Sequence, residues 1–304
     1  MADKVNCVLC IADITPIFHL LARLCGHLVK YLDMQFDLIS DLHLDLWREN
    51  IKDWRGLGTS LVCVVAGDVA KDHRLTASFL KHLGDSYKSV IFVEGNHEHK
   101  HSYHDLAQSQ IELEQSLGRI RNLTYLADSS LVIDGTAFIG SNGWWTFDFP
   151  EMDGADGRAH CMDMFCRKEG LRMRDAVGIW TAAQEQAEFL GNAVSMLNDK
   201  DDVHEIVIIT HTVPRKDLIV PSIYDDVVDW SKIGNSSMIE VLDQDTEGKI
   251  STWCFGHYHS QHVDTVRDHV RYVSHPRGRP DDALSQHYYP KKIDTASDVV
   301  LNRR

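Results

Sequence analysis

The stretch VIFVEGNHEHKH, residues 90–101, joins an apolar run to a loop rich in metal-binding side chains. Two patterns overlap in this loop. Residues 97–101 read H-E-x-x-H, which holds zinc in metalloproteases when both histidines share one face of a helix. Residues 95–98 read G-N-H-E, directly after the apolar run. Because His97 follows a strand-like segment and Gly95-Asn96, a helical zinc-protease site is disfavoured.

Similar apolar runs recur along the chain, and each ends in a small or metal-binding residue. Runs of about four to six residues rich in Val and Ile are typical of strands buried on both faces. Helix-like segments at 75–83 and 103–117 alternate with the early runs, which indicates an α/β architecture with a largely parallel sheet. The runs are 36–40 before Asp41-Leu42-His43, 61–66 before Gly67-Asp68, 90–93 before Glu94, 206–210 before His211 and 250–255 before Gly256-His257-Tyr258-His259.

The second half of the chain contains hairpin patterns. Asp134-Gly135 separates the apolar runs 131–133 and 136–139, a typical type I′ turn. A weaker pattern places Arg267-Asp268 between the runs 262–266 and 269–273. Antiparallel strands here predict a second sheet. A further helix is predicted over 184–197, where apolar residues recur at spacings of three and four.

The residues after the five runs form one candidate site. Functional groups of α/β proteins collect at the carboxyl ends of strands, so we expect these side chains to lie together. A lone His or Asp in such a place is usually structural, but recurrence after five runs indicates a shared role. Carboxylate, amide and imidazole ligands suit Mn, Fe, Zn or Co. Two such ions bridged by a carboxylate can activate water and clamp a phosphoryl group without a serine or cysteine nucleophile.

The ordered motifs D-x-H, G-D, G-N-H-E, a lone His and G-H-x-H closely resemble those of the calcineurin-like metallophosphoesterase family. They span Asp41 to His259, most of the chain. The resemblance implies an α/β fold, a four-layer α/β/β/α sandwich of two mixed sheets, with the metal site at the carboxyl edge of the strands. It also implies two divalent ions and hydrolysis of a phosphodiester or phosphomonoester by in-line attack of a metal-bridging hydroxide.

The resemblance assigns a role to each candidate residue. His97 is not a ligand; it steadies the phosphoryl oxygens and protonates the leaving alkoxide as general acid. Glu98 orients a ligand. His99 and His101 are then expected at the surface. The first metal is held by Asp41, His43 and His259, the second by Asn96, His211 and His257, and Asp68 bridges the two.

The substrate class follows from a departure within the family. The protein Ser/Thr phosphatase branch continues its second motif as G-D-x-V-D-R-G, whereas residues 67–73 here read GDVAKDH and lack that arginine. A small-molecule or nucleotide substrate is therefore expected rather than a phosphoprotein. Residues 40–44 resemble the branch with bacterial cyclic-nucleotide phosphodiesterases, so a cyclic-nucleotide phosphodiesterase or a nuclease-like member stays open, as does a non-catalytic metal-binding scaffold.

Three further residues are candidate substrate contacts: Arg277, Trp145 and Tyr258. The two aromatic rings can stack on a base or aryl group, with core packing as the equal alternative. Arg277 can bind a substrate phosphate or pair with a surface acid.

Composition and patterning limit the remaining possibilities. The net charge of −14 argues against a role in coating nucleic acid. Seven cysteines, an odd number, indicate a reducing compartment rather than a disulfide framework. No transmembrane run or signal peptide is recognisable, so a cytoplasmic location without membrane contact is expected, and the oligomeric state stays open. Predicted segments are an extension at 1–33, the metallophosphoesterase domain at 34–285 with a site-bordering insertion at 144–180, and a tail at 286–304.

Overall fold

The computed structural model describes residues 34–47, 58–150, 154–222, 225–282 and 288–295. The predicted N-terminal extension, 1–33, lies outside the described residues, as do residues 286–287 and 296–304 of the predicted tail. Among the described helices, none is both long enough and apolar enough to cross a bilayer.

Two mixed sheets form the centre of the described structure, as predicted. The strands are β1 (Gln35–Ile39), β2 (Val62–Ala66), β3 (Ser89–Val93), β4 (Leu123–Tyr125), β5 (Ser129–Ile133), β6 (Thr136–Gly140), β7 (Glu205–Ile209), β8 (Ile250–Phe255), β9 (Val263–Arg267), β10 (Val270–Ser274) and β11 (Lys291–Asp294). The helices are α1 (His73–Gly84), α2 (Leu106–Leu117), α3 (Gly154–Glu169), α4 (Met173–Asn198) and α5 (Val227–Ser231), with 3₁₀ helices at Lys216–Leu218 and Ser236–Gln244.

Parallel pairing dominates the middle of both sheets. The first sheet has the order β11-β1-β2-β3-β4, in which only β11 is antiparallel to its neighbour. The second has the order β5-β6-β7-β8-β10-β9, with antiparallel strands at its two edges. The Val- and Ile-rich runs form the central strands because a strand covered on both faces needs apolar side chains on both.

Four layers result from the way these sheets bury their faces. Phe36 of the first sheet meets Phe138 of the second edge to face, with ring centroids 5.8 Å apart, in the core between the sheets. Apolar residues of α1 and α2 cover the outer face of the first sheet. Helix α4 and the 3₁₀ helix Ser236–Gln244 cover the outer face of the second. The predicted α/β/β/α sandwich is confirmed.

The sequence predicted the first hairpin turn correctly and placed the second one residue too early. Asp134 and Gly135 have φ of 49° and 83°, as the predicted type I′ turn requires. In the second hairpin the turn residues are Asp268 and His269, with φ of 48° and 67°, so the predicted Arg267-Asp268 turn was wrong by one residue. Arg267 instead pairs with Val270 in the ladder.

One helix is longer than predicted, and one strand was not predicted. Helix α4 begins at Met173, ahead of the predicted start at 184, because its first turns pack Ala176 and Ile179 into an aromatic cluster with α3. Strand β11 falls where the sequence showed no packing pattern past residue 286. Its antiparallel pairing with β1 was missed because Ile293 is the single buried side chain among its four residues.

Candidate metal centre

The carboxyl ends of β1, β2, β3, β7 and β8 bring the predicted ligands together. The side chains form two groups that share Asp68, and within each group the possible ligand atoms all lie within 4.8 Å of one another. The amide oxygen of Asn96 joins the second group, 3.1 Å from Nε2 of His211. The first group is Asp41, His43, Asp68 and His259; the second is Asp68, His211 and His257.

Asp68 lies between the two groups, with one carboxylate oxygen toward each. Its Oδ1 is 3.3 Å from Nε2 of His211, and its Oδ2 is 3.8 Å from Nε2 of His43. The backbone N–H of His97 donates to Oδ1 at 2.7 Å and fixes the carboxylate. Burial alone would raise the pKa of Asp68, but the charges of His211 and His97 hold it well below its ordinary value. An ionised carboxylate therefore faces both halves of the site.

Three candidate histidine ligands donate a hydrogen bond to a protein acceptor from the ring nitrogen that points away from the centre, here called the outer nitrogen. The other ring nitrogen, called the inner nitrogen, faces the other candidate ligands. His211 Nδ1 donates to the carbonyl of Ala66 at 2.9 Å. Because a carbonyl only accepts, the hydrogen must be on this outer nitrogen, and the inner nitrogen keeps a lone pair in the neutral ring. Metal-ligating histidines are oriented in this way. The other two bonds run from His257 Nε2 to the carbonyl of Lys232 at 2.9 Å and from His259 Nδ1 to Oδ2 of Asp282 at 3.0 Å.

The inner nitrogens face one another at distances that call for a cation. His257 Nδ1 lies 3.2 Å from His211 Nε2, and with both outer N–H groups engaged two lone pairs would meet there. Burial would lower the pKa of His211, yet the charges of Asp68 and Asp41 raise it to about 10. The anionic surroundings therefore favour positive charge between the two rings. The mixed nitrogen and oxygen donors fit a transition-metal ion.

Backbone strain is concentrated at the same residues. Asp41, His43, Asp68 and His257 have φ of 53°, 44°, 55° and 69°, in the left-handed region that non-glycine residues rarely adopt. Each such residue costs roughly 1–3 kcal/mol and persists where the surroundings fix it, often at functional sites. Four of the seven candidate ligands are therefore held in place against their own backbone preference.

Two glycines allow the close approach of the loops. A Cβ atom at Gly95 would collide with Oδ1 of Asp68, and one at Gly256 with Oδ2 of Asp41. The motif glycines are required because the carboxylates lie directly against the backbone.

Replacing Gly95 by alanine is expected to weaken metal binding at least about tenfold, because the added methyl group displaces the carboxylate of Asp68. Metal content at limiting Mn²⁺, measured by mass spectrometry, checks this. Gly178→Ala is the matched control, since a Cβ atom there meets nothing within 4 Å. Equal metal affinity in the two variants would contradict the close approach.

Glu98 ties two ligand-bearing loops together. Its carboxylate accepts from the backbone N–H groups of Asp68 at 3.1 Å, Val69 at 2.7 Å and Gly95 at 2.8 Å. A further bond comes from Ala70 N at 3.2 Å. Burial and the charge of Asp68 raise the pKa of Glu98 to about 8, although these bonds favour the ionised form. Glu98 thus fixes the predicted bridging residue, Asp68, through the backbone N–H of Asp68.

The three histidines of the loop at residues 94–101 occupy different environments. His97 is buried, with Nε2 3.9 Å from Oδ2 of Asp68, and burial lowers its pKa to about 4. His99 is also buried, with Nδ1 2.9 Å from Oγ of Ser109, so the expected surface position was wrong. His101 is exposed, as expected. Residues 97–101 form turns rather than a helix, which excludes the H-E-x-x-H zinc geometry.

The three candidate substrate contacts lie inside the protein. The Trp145 ring is completely buried and stacks on His257, with centroids 5.8 Å apart. Tyr258 is 4% exposed, and its hydroxyl donates to the carbonyl of Val220 at 2.9 Å. Arg277 is 5% exposed, with its guanidinium 3.8 Å from the ring centroid of Trp47. The burial of Trp145 and Tyr258 in apolar clusters favours the core-packing alternative for both rings, and Arg277 is not a surface side chain.

The burial of Trp145 predicts a structural role. Trp145→Ala should destabilise the fold by about 3–5 kcal/mol, since it removes a buried ring from an aromatic cluster. Trp145→Phe keeps part of this packing and should leave KM unchanged. Denaturant unfolding and steady-state kinetics check both variants. A KM that rises in Trp145→Phe without loss of stability would instead support Trp145 as a substrate contact.

Some residues of the site carry no signal in the sequence. Asp282 accepts the hydrogen of His259 from 23 residues away, outside every motif. Lys232 holds His257 through its backbone carbonyl, which any residue type provides. Tyr103 accepts from the side-chain amide of Asn96 at 3.3 Å and so fixes which way that amide points.

Solved structures share the fold of this chain. Phosphopantetheinyl hydrolase from Mycobacterium tuberculosis superposes with a TM-score of 0.65 at 18% identity, over 86% of this chain and 96% of that one. A dimetal phosphatase from Danio rerio gives a TM-score of 0.50 at 13% identity, over 86% and 93%. This is the fold of the calcineurin-like metallophosphoesterases. No protein-family model matches the sequence, and no curated protein matches it.

Both sheets of this chain contribute residues to the edge that carries the candidate metal centre. The loops after β1, β2 and β3 supply residues from the first sheet, and those after β7 and β8 supply residues from the second. The candidate ligands therefore span the two sheets, and Asp68 from the first contacts His211 from the second.

Proposed function

We propose that the protein is a metal-dependent phosphoesterase that hydrolyses a phosphomonoester or a phosphodiester. The observation that carries this proposal is the position of Asp68 between two groups of inward-facing ligand atoms. Both structural neighbours are named for phosphate-ester chemistry, one as a hydrolase and one as a dimetal phosphatase, which supports the same reaction class.

The residues present fit two divalent cations. Mn, Fe, Zn and Co all suit this mixture of donors. When bound, such cations lower the pKa of a coordinated water toward neutrality and offset the charge of a phosphoryl group. One ion would be held by Asp41, His43 and His259, the other by Asn96, His211 and His257, with Asp68 shared.

His97 is the proposed general acid. Its Nε2 faces the centre near Asp68, while its backbone N–H holds the bridging carboxylate. Burial lowers the pKa of the ring, and a bound phosphoryl dianion would favour its protonated form by charge. Protonated His97 would then steady the phosphoryl oxygens and give its proton to the leaving alkoxide.

A small phosphate ester is the proposed substrate class. Asp72 stands where the Ser/Thr phosphatase branch has the arginine of G-D-x-V-D-R-G, and the absence of that arginine disfavours a phosphoprotein. Cyclic nucleotides, nucleotides and phosphopantetheinyl esters are the compounds to test first. The last is included because one structural neighbour is named for that group.

A substrate panel tests the proposed function. The protein loaded with Mn²⁺ is assayed with p-nitrophenyl phosphate, bis-p-nitrophenyl phosphate, nucleotides, cyclic nucleotides, oligonucleotides and a phosphopantetheinyl ester. We expect turnover of at least one compound, lost on chelation and restored by metal. Two bound ions per chain with no turnover of any compound would instead indicate a non-catalytic metal-binding scaffold.

A further inference from the structure

Basic side chains surround the candidate metal centre in a chain that is strongly acidic overall. The net charge is −14, from 31 basic and 45 acidic residues. Three lysines near the centre are half-buried and one arginine is exposed. We name Lys71, Lys100, Lys232 and Arg279 the basic cluster.

Each member of the basic cluster belongs to a different loop, and each loop is tied to the centre. Lys71 comes three residues after Asp68, beyond the backbone held by Glu98. The N–H of Lys100 donates to the carbonyl of His97 at 3.3 Å. The other two are tied through histidine ligands. The carbonyl of Lys232 accepts from His257, and the N–H of Arg279 donates at 2.6 Å to Oδ2 of Asp282, the acceptor of His259.

The charges of the basic cluster are close enough to influence neighbouring groups. After burial and the opposing charge of Asp68, the positive charges of Lys100, Arg279 and Lys71 lower the pKa of His97. Burial lowers the pKa of Lys100, as do the charges of Lys232, Lys71 and Arg279, while Glu169 opposes them. Together with the hydrogen bonds that tie each loop to a candidate ligand or to His97, these effects place the four residues at the border of the same centre.

Most of this positive charge is not neutralised by the protein. Lys232 pairs with Asp229 at 3.2 Å and approaches Glu169 at 3.8 Å. The side chains of Lys71, Lys100 and Arg279 form no ion pair with any residue in the described ranges. Grouped cations repel one another, so an anionic ligand would stabilise this arrangement.

We propose that the basic cluster binds a second phosphoryl group of the substrate, distinct from the one that is hydrolysed. This inference rests on the proposed function. Two bound metal ions would offset the charge of the scissile group, so Lys71, Lys100 and Arg279, which lack an ion-pair partner among the described residues, are available for a second anion, with Lys232 beside them. Lysine binds phosphate as a point charge and arginine as a fork. A small bisphosphorylated compound fits better than a polynucleotide, because the overall negative charge repels long polyanions.

Matched competitors test the proposal. The inhibition constants of 1,3-propanediol monophosphate and bisphosphate are measured against p-nitrophenyl phosphate turnover by the Mn²⁺-loaded protein. The same ligands are titrated calorimetrically, which gives a binding readout independent of turnover. We expect the bisphosphate to bind roughly tenfold more tightly or better, as about one charged hydrogen bond would give.

Charge variants locate the effect. In the triple variant Lys71→Gln, Lys100→Gln and Arg279→Gln, the preference should fall to about twofold or less, with little change for the monophosphate. The control removes the same charge elsewhere, by Lys81→Gln, Lys88→Gln and Arg119→Gln. These exposed residues line a separate cavity of about 980 Å³ beside α1 and α2. Metal content and melting temperature should match among all three proteins.

The possible outcomes distinguish a failure of the second phosphate site from a failure of the proposed hydrolysis. Equal binding of the two ligands to the unmodified protein, or a preference that survives the triple variant, would overturn the basic cluster as a second phosphate site. A single-stranded oligonucleotide that competes better than the bisphosphate would also overturn it in favour of a polyanion. Absence of turnover with an intact, variant-sensitive bisphosphate preference would contradict the proposed hydrolysis and leave the second site standing.

Discussion

Asp68→Asn is expected to reduce hydrolysis at least about a thousandfold and to lower bound metal below two ions per chain. The shared carboxylate faces both ligand groups, and an asparagine amide has neither its charge nor its second anionic oxygen. Metal-based stabilisation of a transition state is worth several kcal/mol, and each 1.4 kcal/mol or so is a factor of ten. Steady-state kinetics and metal analysis at saturating Mn²⁺ check the prediction.

A matched substitution shows that the effect is specific to the bridge. Asp72→Asn removes a carboxylate four residues further on, where the side chain caps helix α1 through the N–H groups of Arg74 and Leu75. Since asparagine also caps helices well, this variant should keep full metal content and activity. Unchanged turnover in Asp68→Asn would remove the basis of the two-metal interpretation.

His97→Asn is expected to show a loss that depends on the leaving group. An alkyl phosphate, whose alkoxide needs a proton, should be hydrolysed about 10²–10⁴-fold more slowly, the usual contribution of a general acid. p-Nitrophenyl phosphate should lose far less, because p-nitrophenolate leaves without protonation. kcat for the two substrates gives the comparison, with metal content as the check that the ligands are intact.

The neighbouring histidines provide the controls for this variant. His101→Asn changes an exposed residue of the same loop and should behave like the unmodified protein. A zinc site of the H-E-x-x-H type would lose metal in both variants. An equal loss of kcat for alkyl and p-nitrophenyl substrates in His97→Asn would assign His97 to positioning the phosphoryl group rather than to proton transfer.

The central strands and the candidate ligands were predictable from sequence because their signals are local. A continuous run such as 90–93 can only satisfy its apolar side chains between two covered faces. The residues after such runs meet because parallel strands end at one edge. The order of the motifs then gave the fold, which the structural neighbours confirm.

Features that depend on distant parts of the chain were not predictable. Trp145 and Tyr258 were read as possible substrate contacts because an aromatic residue beside a motif has the same sequence signal whether it faces a pocket or the core. His99 is buried by packing near Trp144, with ring centroids 5.7 Å apart, 45 residues further along the chain. The supports from Asp282 and the Lys232 carbonyl are single long-range hydrogen bonds, and neither produces a periodic pattern.

Metal stoichiometry measured together with hydrolysis tests the central claim most directly. The metal-free protein is titrated with Mn²⁺, and bound metal per chain and p-nitrophenyl phosphate turnover are recorded on the same samples. We expect turnover to rise with metal and to reach its maximum at two ions per chain. In Asp68→Asn, bound metal should stay below two ions per chain and turnover should stay far lower. Saturation at one ion or none, or full turnover in the presence of excess chelator, would contradict a dinuclear phosphoesterase centre at these strand ends.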